Sequence, residues 1–147
     1  MRLKTLEELK QVAVVRSPLE RDRMSKQERL ERWAEVLELA PQRYLRSLYE
    51  TEYASRRQRC ALREYNSPLT VAFQDPVLRA EGLQSDRYGD AMIFFELSDD
   101  DLHYIVCYCH LGPAITPRAV AGRVRAAARQ TARKSFLQRL ISVRTMF

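Results

Sequence analysis

The sequence predicts a single, irregular all-α domain of six to eight helices, with a short N-terminal arm and a basic C-terminal helix. Three observations lead there. Of 147 residues, 46% are hydrophobic and 30% charged, enough apolar material for one core and too much for a disordered chain. Four glycines and six prolines are too few for a turn-rich β-sandwich. Helix-capping residues recur along the chain, several of them followed by apolar residues at helical spacing.

Thr5 with Glu8 has the spacing of a capping box, in which a hydroxyl bonds a first-turn N–H and the acid reaches back to the cap. Leu6, Leu9 and Ala13 follow on one face before Ser17-Pro18 interrupts. Ser25 with Glu28 repeats the box ahead of Leu30, Trp33, Ala34 and Leu37, an i, i+3, i+4, i+7 stripe that predicts a firmer helix. Met24, just before that cap, offers a second start of translation. Pro41 suits the first turn of a further helix, where its missing N–H costs nothing, with Tyr44, Leu45, Leu48, Tyr49 and Tyr53 on the inner face. Residues 56–65 predict a short helix burying Cys60, Ala61 and Leu62. In residues 66–74, Val71, Thr70 and Phe73 set a strand or extended loop against helix.

Asp75-Pro76 then serves as cap and first helical residue, and Gly82 as terminator. Ser85 precedes a helix carrying Met92, Ile93, Phe94 and Phe95. Ser98 with Asp101 opens the next one, helped by Asp99, Asp100 and Asp101 at its positive end, and Gly112-Pro113 stops it after His110. Thr116-Pro117 opens the last helix. The resulting division is an arm over residues 1–24, a helical domain over 25–133 and a basic amphipathic tail over 134–147.

The net charge of +6 is unevenly placed. Residues 1–24 hold six basic and four acidic side chains (+2), residues 25–115 eleven and fifteen (−4), and residues 116–147 eight and none (+8). Because 21 of the 25 basic residues are arginine, a bias that coding composition alone can produce, placement says more than content. Three cysteines, an odd number in a chain whose start lacks an apolar signal core, read as reduced thiols in the cytoplasm. The longest uncharged stretch, residues 102–117, falls short of the roughly 20 apolar residues that cross a bilayer, so no transmembrane span is expected.

His103, Cys107, Cys109 and His110 place four metal-ligating types within eight residues. On a helix at about 100° per residue, Leu102, Ile105, Val106 and Cys109 share one face, while His103, Cys107 and His110 share the adjoining flank. That trio with Cys60 would hold zinc or haem, the enzyme or sensor alternative. The simpler expectation is no cofactor, with the histidines closing the end of a core helix, where a cation suits the dipole and a thiolate does not.

In the last helix Arg118, Arg125, Arg129 and Arg133 fall on one arc, opposite Val120, Val124, Ala127 and Thr131. Beyond them, Phe136, Leu137, Leu140, Ile141 and Val143 alternate with Lys134, Arg139 and Arg144. The segment from Leu102 through Gly112 into the arginine helix resembles a helix-turn-helix in outline, though with a long connection and with acids where phosphate would lie. The expected function is a non-enzymatic intracellular binding or adaptor protein. It would engage an acidic protein or nucleic acid, or an anionic membrane surface, through Arg118, Arg125, Arg129, Arg133, Lys134 and Arg139.

Overall fold

Helix α1 (Lys26–Leu39) begins where the Ser25 side chain accepts a hydrogen bond from the Glu28 N–H, and it turns Leu30, Trp33, Ala34 and Leu37 inward. In the computed structural model, which describes residues 23–48, 51, 53–108 and 114–145, this stripe is the floor of an all-α domain. The described residues hold six more helices: α2 (Arg56–Arg59), α3 (Pro68–Gln74), α4 (Pro76–Glu81), α5 (Tyr88–Phe94), α6 (Asp99–Val106) and α7 (Pro117–Thr145). Residues 1–22 of the arm, with the helix expected there, lie outside the described residues, as do Tyr49, Cys109 and His110.

The most extensive helix contact among the described residues is α1 against α7. The two run antiparallel, since Lys26 lies by Thr131 and Lys134, while Leu39 lies by Pro117. Val120, Ala121, Val124 and Ala128 of α7 are buried against the body. Trp33 then ties this pair to the shorter helices. Its ring stacks on Phe95 with centroids 4.6 Å apart, and its indole N–H donates to the Pro68 carbonyl at 3.0 Å. Phe94 meets Phe95 edge-on at 4.9 Å.

Residues 66–74 resolve to helix because Ser67 and Thr70 make a reciprocal capping box ahead of α3. Asp75 caps α4 as expected, accepting from the Leu78 N–H, and Gly82 ends it with φ of 119°, a left-handed backbone that favours glycine. The same Asp75 carboxylate takes a two-pronged bond from Arg32, at 3.0 and 2.8 Å, fastening α4 to α1.

Two expected helices are corrected. Leu45–Arg46 is a short strand, β1, paired antiparallel with β2 (Ala114–Ile115), Leu45 opposite Ile115. Its neighbours supply what a helix would have supplied internally: Arg46 N–H donates to Asn66 and Leu48 N–H to Val106. Leu45 and Leu48 are buried as expected, but Tyr44 and Tyr53 are exposed. The helix expected over residues 56–65 stops at Arg59, and Cys60 and Ala61 are exposed. The carbonyls of Cys60 and Leu62 accept instead from Gly89 and Tyr88, at the start of α5. In α5 itself, Phe94 is buried and Ile93 points outward.

Asp75→Ala removes a cap and strands Arg32, so chemical denaturation should show a loss of about 2 kcal/mol. The Arg32 guanidinium holds the Asp75 carboxyl below the usual carboxylate range. Its contribution is therefore complete above the unfolded value of about 3.9 and fades as pH falls through the lower folded value, where wild type and variant should converge. Gly89→Ala should also destabilise, because its Cβ would lie 2.9 Å from both Cβ and O of Cys60.

Candidate docking surface on the last helix

The sequence points first to the histidine and cysteine cluster. Helix α6 starts as expected, with Ser98 accepting from Asp101 N–H, but it ends at Val106, and Cys107 has extended backbone with φ −103° and ψ 121°. The cause lies in residues 47–48: Leu48 N–H donates to the Val106 carbonyl, and the Ser47 hydroxyl accepts from Tyr108 N–H at 2.7 Å. The helical flank that would align His103 with Cys107 is thus cut at Cys107.

His103 Nδ1 sits 2.9 Å from the Thr51 hydroxyl, which donates its own proton to the Leu48 carbonyl, so the ring nitrogen is the donor. The Thr51 carbonyl accepts from Arg59 Nε, and Arg59 also binds Asp99 at 2.8 Å. Tyr88 completes the network with its hydroxyl 2.6 Å from Asp99 Oδ1, and burial together with that carboxylate pushes its pKa up. These bonds hold α2, α5 and α6 together. Cys60 is exposed, its thiol 3.8 Å from the Arg56 carbonyl, whereas Cys107 is buried. Among the described residues no three His, Cys, Asp or Glu side chains gather as a metal site, and Cys60, His103 and Cys107 are not brought into one. His110 lies outside the described residues.

The second candidate is α7. Thr116 caps it, accepting from Ala119 N–H at 3.2 Å, and Pro117 is its first residue, as the sequence suggests. Two of its arginines are occupied within the chain. Arg123, which the sequence does not mark out, lies over the rings of Tyr104 and Tyr108 at 4.3 and 3.7 Å. It donates to the carbonyls of Tyr104 and Cys107, closing the negative end of α6. Burial pushes the Tyr108 phenol up to about 12. Arg125 bridges to Glu31 and Glu38 of α1, and its guanidinium holds the Glu38 carboxyl below the ordinary range. Arg118, Arg129, Arg133, Lys134 and Arg139 are exposed, with no ion pair among the described residues.

The helix continues unbroken to Thr145 with its apolar side reversed. In the proximal half, Val120, Val124 and Ala127 face the body. At about 100° per residue, Phe136, Leu140 and Val143 fall on the opposite side, in line with Arg118, Gly122, Arg125, Arg129 and Arg133. Phe136, Leu137, Leu140, Ile141 and Val143 are 49–63% exposed. The body-facing side of the distal half carries Thr131, Ser135, Gln138 and Ser142 instead. One outward stripe therefore runs from cations to apolar side chains along the helix.

Comparison with protein-family models, curated proteins and solved structures finds no match. The helix-turn-helix outline is not realised: residues 107–116 separate α6 from α7 and include β2, and the proximal half of α7 packs on α1. A feature missed in sequence is an acidic stripe on α1, Glu28, Glu31, Glu35 and Glu38, whose i, i+3, i+7, i+10 spacing was there to be read.

Gly122 sits mid-helix on the outward stripe, and a Cβ there would meet nothing within 4 Å. Gly122→Ala should stabilise the isolated chain by up to about 1 kcal/mol in a denaturation series. Peptide mapping after brief alkylation of the native protein should find Cys60 modified well ahead of Cys107.

Proposed function

We propose that the protein is a non-enzymatic cytoplasmic docking module whose last helix engages an acidic protein surface. The observation that carries this reading is the outward alignment of an apolar arc (Phe136, Leu140, Val143) with a cationic arc (Arg118, Arg129, Arg133) on one continuous helix. A helix presenting anchors at i, i+4 and i+7 is the form that enters an apolar groove, and the cations select a groove with an acidic rim. Arg125 belongs to the same arc but is shared with α1, so the binding weight falls on Arg118, Arg129, Arg133, Lys134 and Arg139.

The chemistry of the stripe favours protein over the other anionic partners. Duplex grooves offer little to five large aliphatic or aromatic side chains, and a phosphate-binding helix does not need them. No described helix is long and apolar enough to cross a membrane. For a helix lying flat on lipid, Arg133 and Arg144 would fall near the middle of the arc centred on Leu140, where their guanidinium groups would be pressed toward hydrocarbon. The exposed thiol of Cys60 suits a reducing compartment.

The test compares three probes at several salt concentrations: a glutamate-rich amphipathic helical peptide with leucines on one face, duplex DNA, and anionic phospholipid vesicles. The peptide should bind, and Leu140→Glu or Arg129→Glu/Arg133→Glu should weaken it at least about tenfold without lowering the melting temperature, since these side chains are exposed. Binding to DNA that weakens steeply with salt and ignores Leu140→Glu would overturn the reading.

A further inference from the structure

We infer that the acidic surface met by α7 is that of a second copy of this chain, an inference that rests on the docking reading above. The basis is a pair of complementary stripes on one face. Glu28, Glu31, Glu35 and Glu38 line one side of α1, and all four are exposed or half-buried. The two arginines of α1 are turned into the body: Arg32 is bonded to Asp75, and Arg29 lies over Phe94 while donating to its carbonyl. The third cation, Lys26, lies by Thr131 and Lys134 of α7, so the outward charge of α1 is acidic. Beside it, antiparallel, runs α7 with Arg118, Arg129 and Arg133, and the bridge from Arg125 to Glu31 and Glu38 marks the seam between the two stripes.

A surface carrying an acidic stripe beside a basic one is self-complementary. A two-fold axis along the seam lays α1 of one protomer on α7 of its partner, and the reverse, so every carboxylate row faces a guanidinium row in an isologous contact. The chain as a whole has the same polarity, −4 over residues 25–115 against +8 over residues 116–147. Pairing α7 with α7 alone is disfavoured, because residues 116–147 hold no acidic side chain to offset their cations. The apolar residues Leu140 and Val143 lie beyond Lys26, where α1 begins, so the pairing of the two copies is carried by the charged rows alone. Gly122 lies within the basic stripe with open space above it, which lets a partner helix approach closely.

Light scattering or sedimentation across a concentration series at low salt should report twice the 17.2 kDa chain mass, shifting toward one chain as salt rises. Glu28→Arg/Glu35→Arg and Arg118→Glu/Arg129→Glu should each be monomeric, because each sets like charges opposite one another. Mixing the two variants should restore a one-to-one complex. Circular dichroism melts at the high salt that leaves wild type as single chains, alike for wild type and both variants, separate lost association from lost folding. A wild type that stays at 17.2 kDa at every concentration, or single reversals that leave the dimer intact, would overturn the inference. A monomeric wild type that still binds the acidic peptide through Leu140 ends self-association and leaves the docking reading standing; failure of both ends both.

Discussion

The antiparallel contact of α1 with α7 is the constraint around which the other elements are arranged. Both helices are long enough to bury a continuous stripe, Leu30, Trp33, Ala34 and Leu37 on one side and Val120, Ala121, Val124 and Ala128 on the other. The shorter helices among the described residues have four to eight residues, too few to persist alone in water. They gain their stability from docking, and Trp33 sets where they dock. Its stack on Phe95 fixes the end of α5, and its indole bond to Pro68 fixes the start of α3. Asp75, shared between the cap of α4 and Arg32 midway along α1, adds a third anchor.

Helix starts were legible in the sequence because a cap is a local transaction. Ser25, Asp75 and Ser98 each bond an N–H three residues ahead, and the bond closes whatever the rest of the chain does. Helix ends were less legible, since an end depends on who takes the carbonyls. Arg59 ends α2 because α5 supplies N–H groups to Cys60 and Leu62, and α6 ends at Val106 because Leu48 arrives from 58 residues earlier. Pro41 failed as a helix start for the same reason. It is compatible with a first turn, but residues 45–48 find backbone partners in β2, Asn66 and Val106. Periodicity still identified Leu45 and Leu48 as buried, since a side chain's need for the core survives a change of backbone geometry.

The candidate surface shows a similar division. Composition located the basic end, and the helical wheel separated its arginines from Val120, Val124 and Ala127, which are buried. Which arginines remain available is a tertiary question. Arg123 is consumed in closing α6 between two tyrosines, and Arg125 is half consumed by α1. Neither fate follows from local spacing, because Tyr104 and Glu38 become neighbours of α7 only once the chain has folded. The acidic stripe of α1 is hard to distinguish in sequence for a related reason: the buried stripe of the same helix dominates its pattern, and the glutamates resemble an ordinary solvated face.

The reversal of the apolar side within α7 has consequences for how the distal half can act. Had the apolar residues continued the line of Val120, Val124 and Ala127, they would have extended the core stripe and called for more body beneath them. Their displacement to the far side means that no straight continuation of the α1 contact can cover them. The helix nevertheless persists to Thr145, because helix propagation costs far less than nucleation, and the packed proximal half has already supplied the nucleus. Ala126, Ala127, Ala128 and Ala132, the residue type with the highest helix propensity, carry it past the edge of the body. A distal half held in helical form before contact spends less conformational entropy on binding than a segment that must fold as it docks. The fold of the body and the readiness of the tail are thus one property: the α1–α7 contact that organises the core also presents Phe136, Leu140 and Val143 in register with the arginines above them.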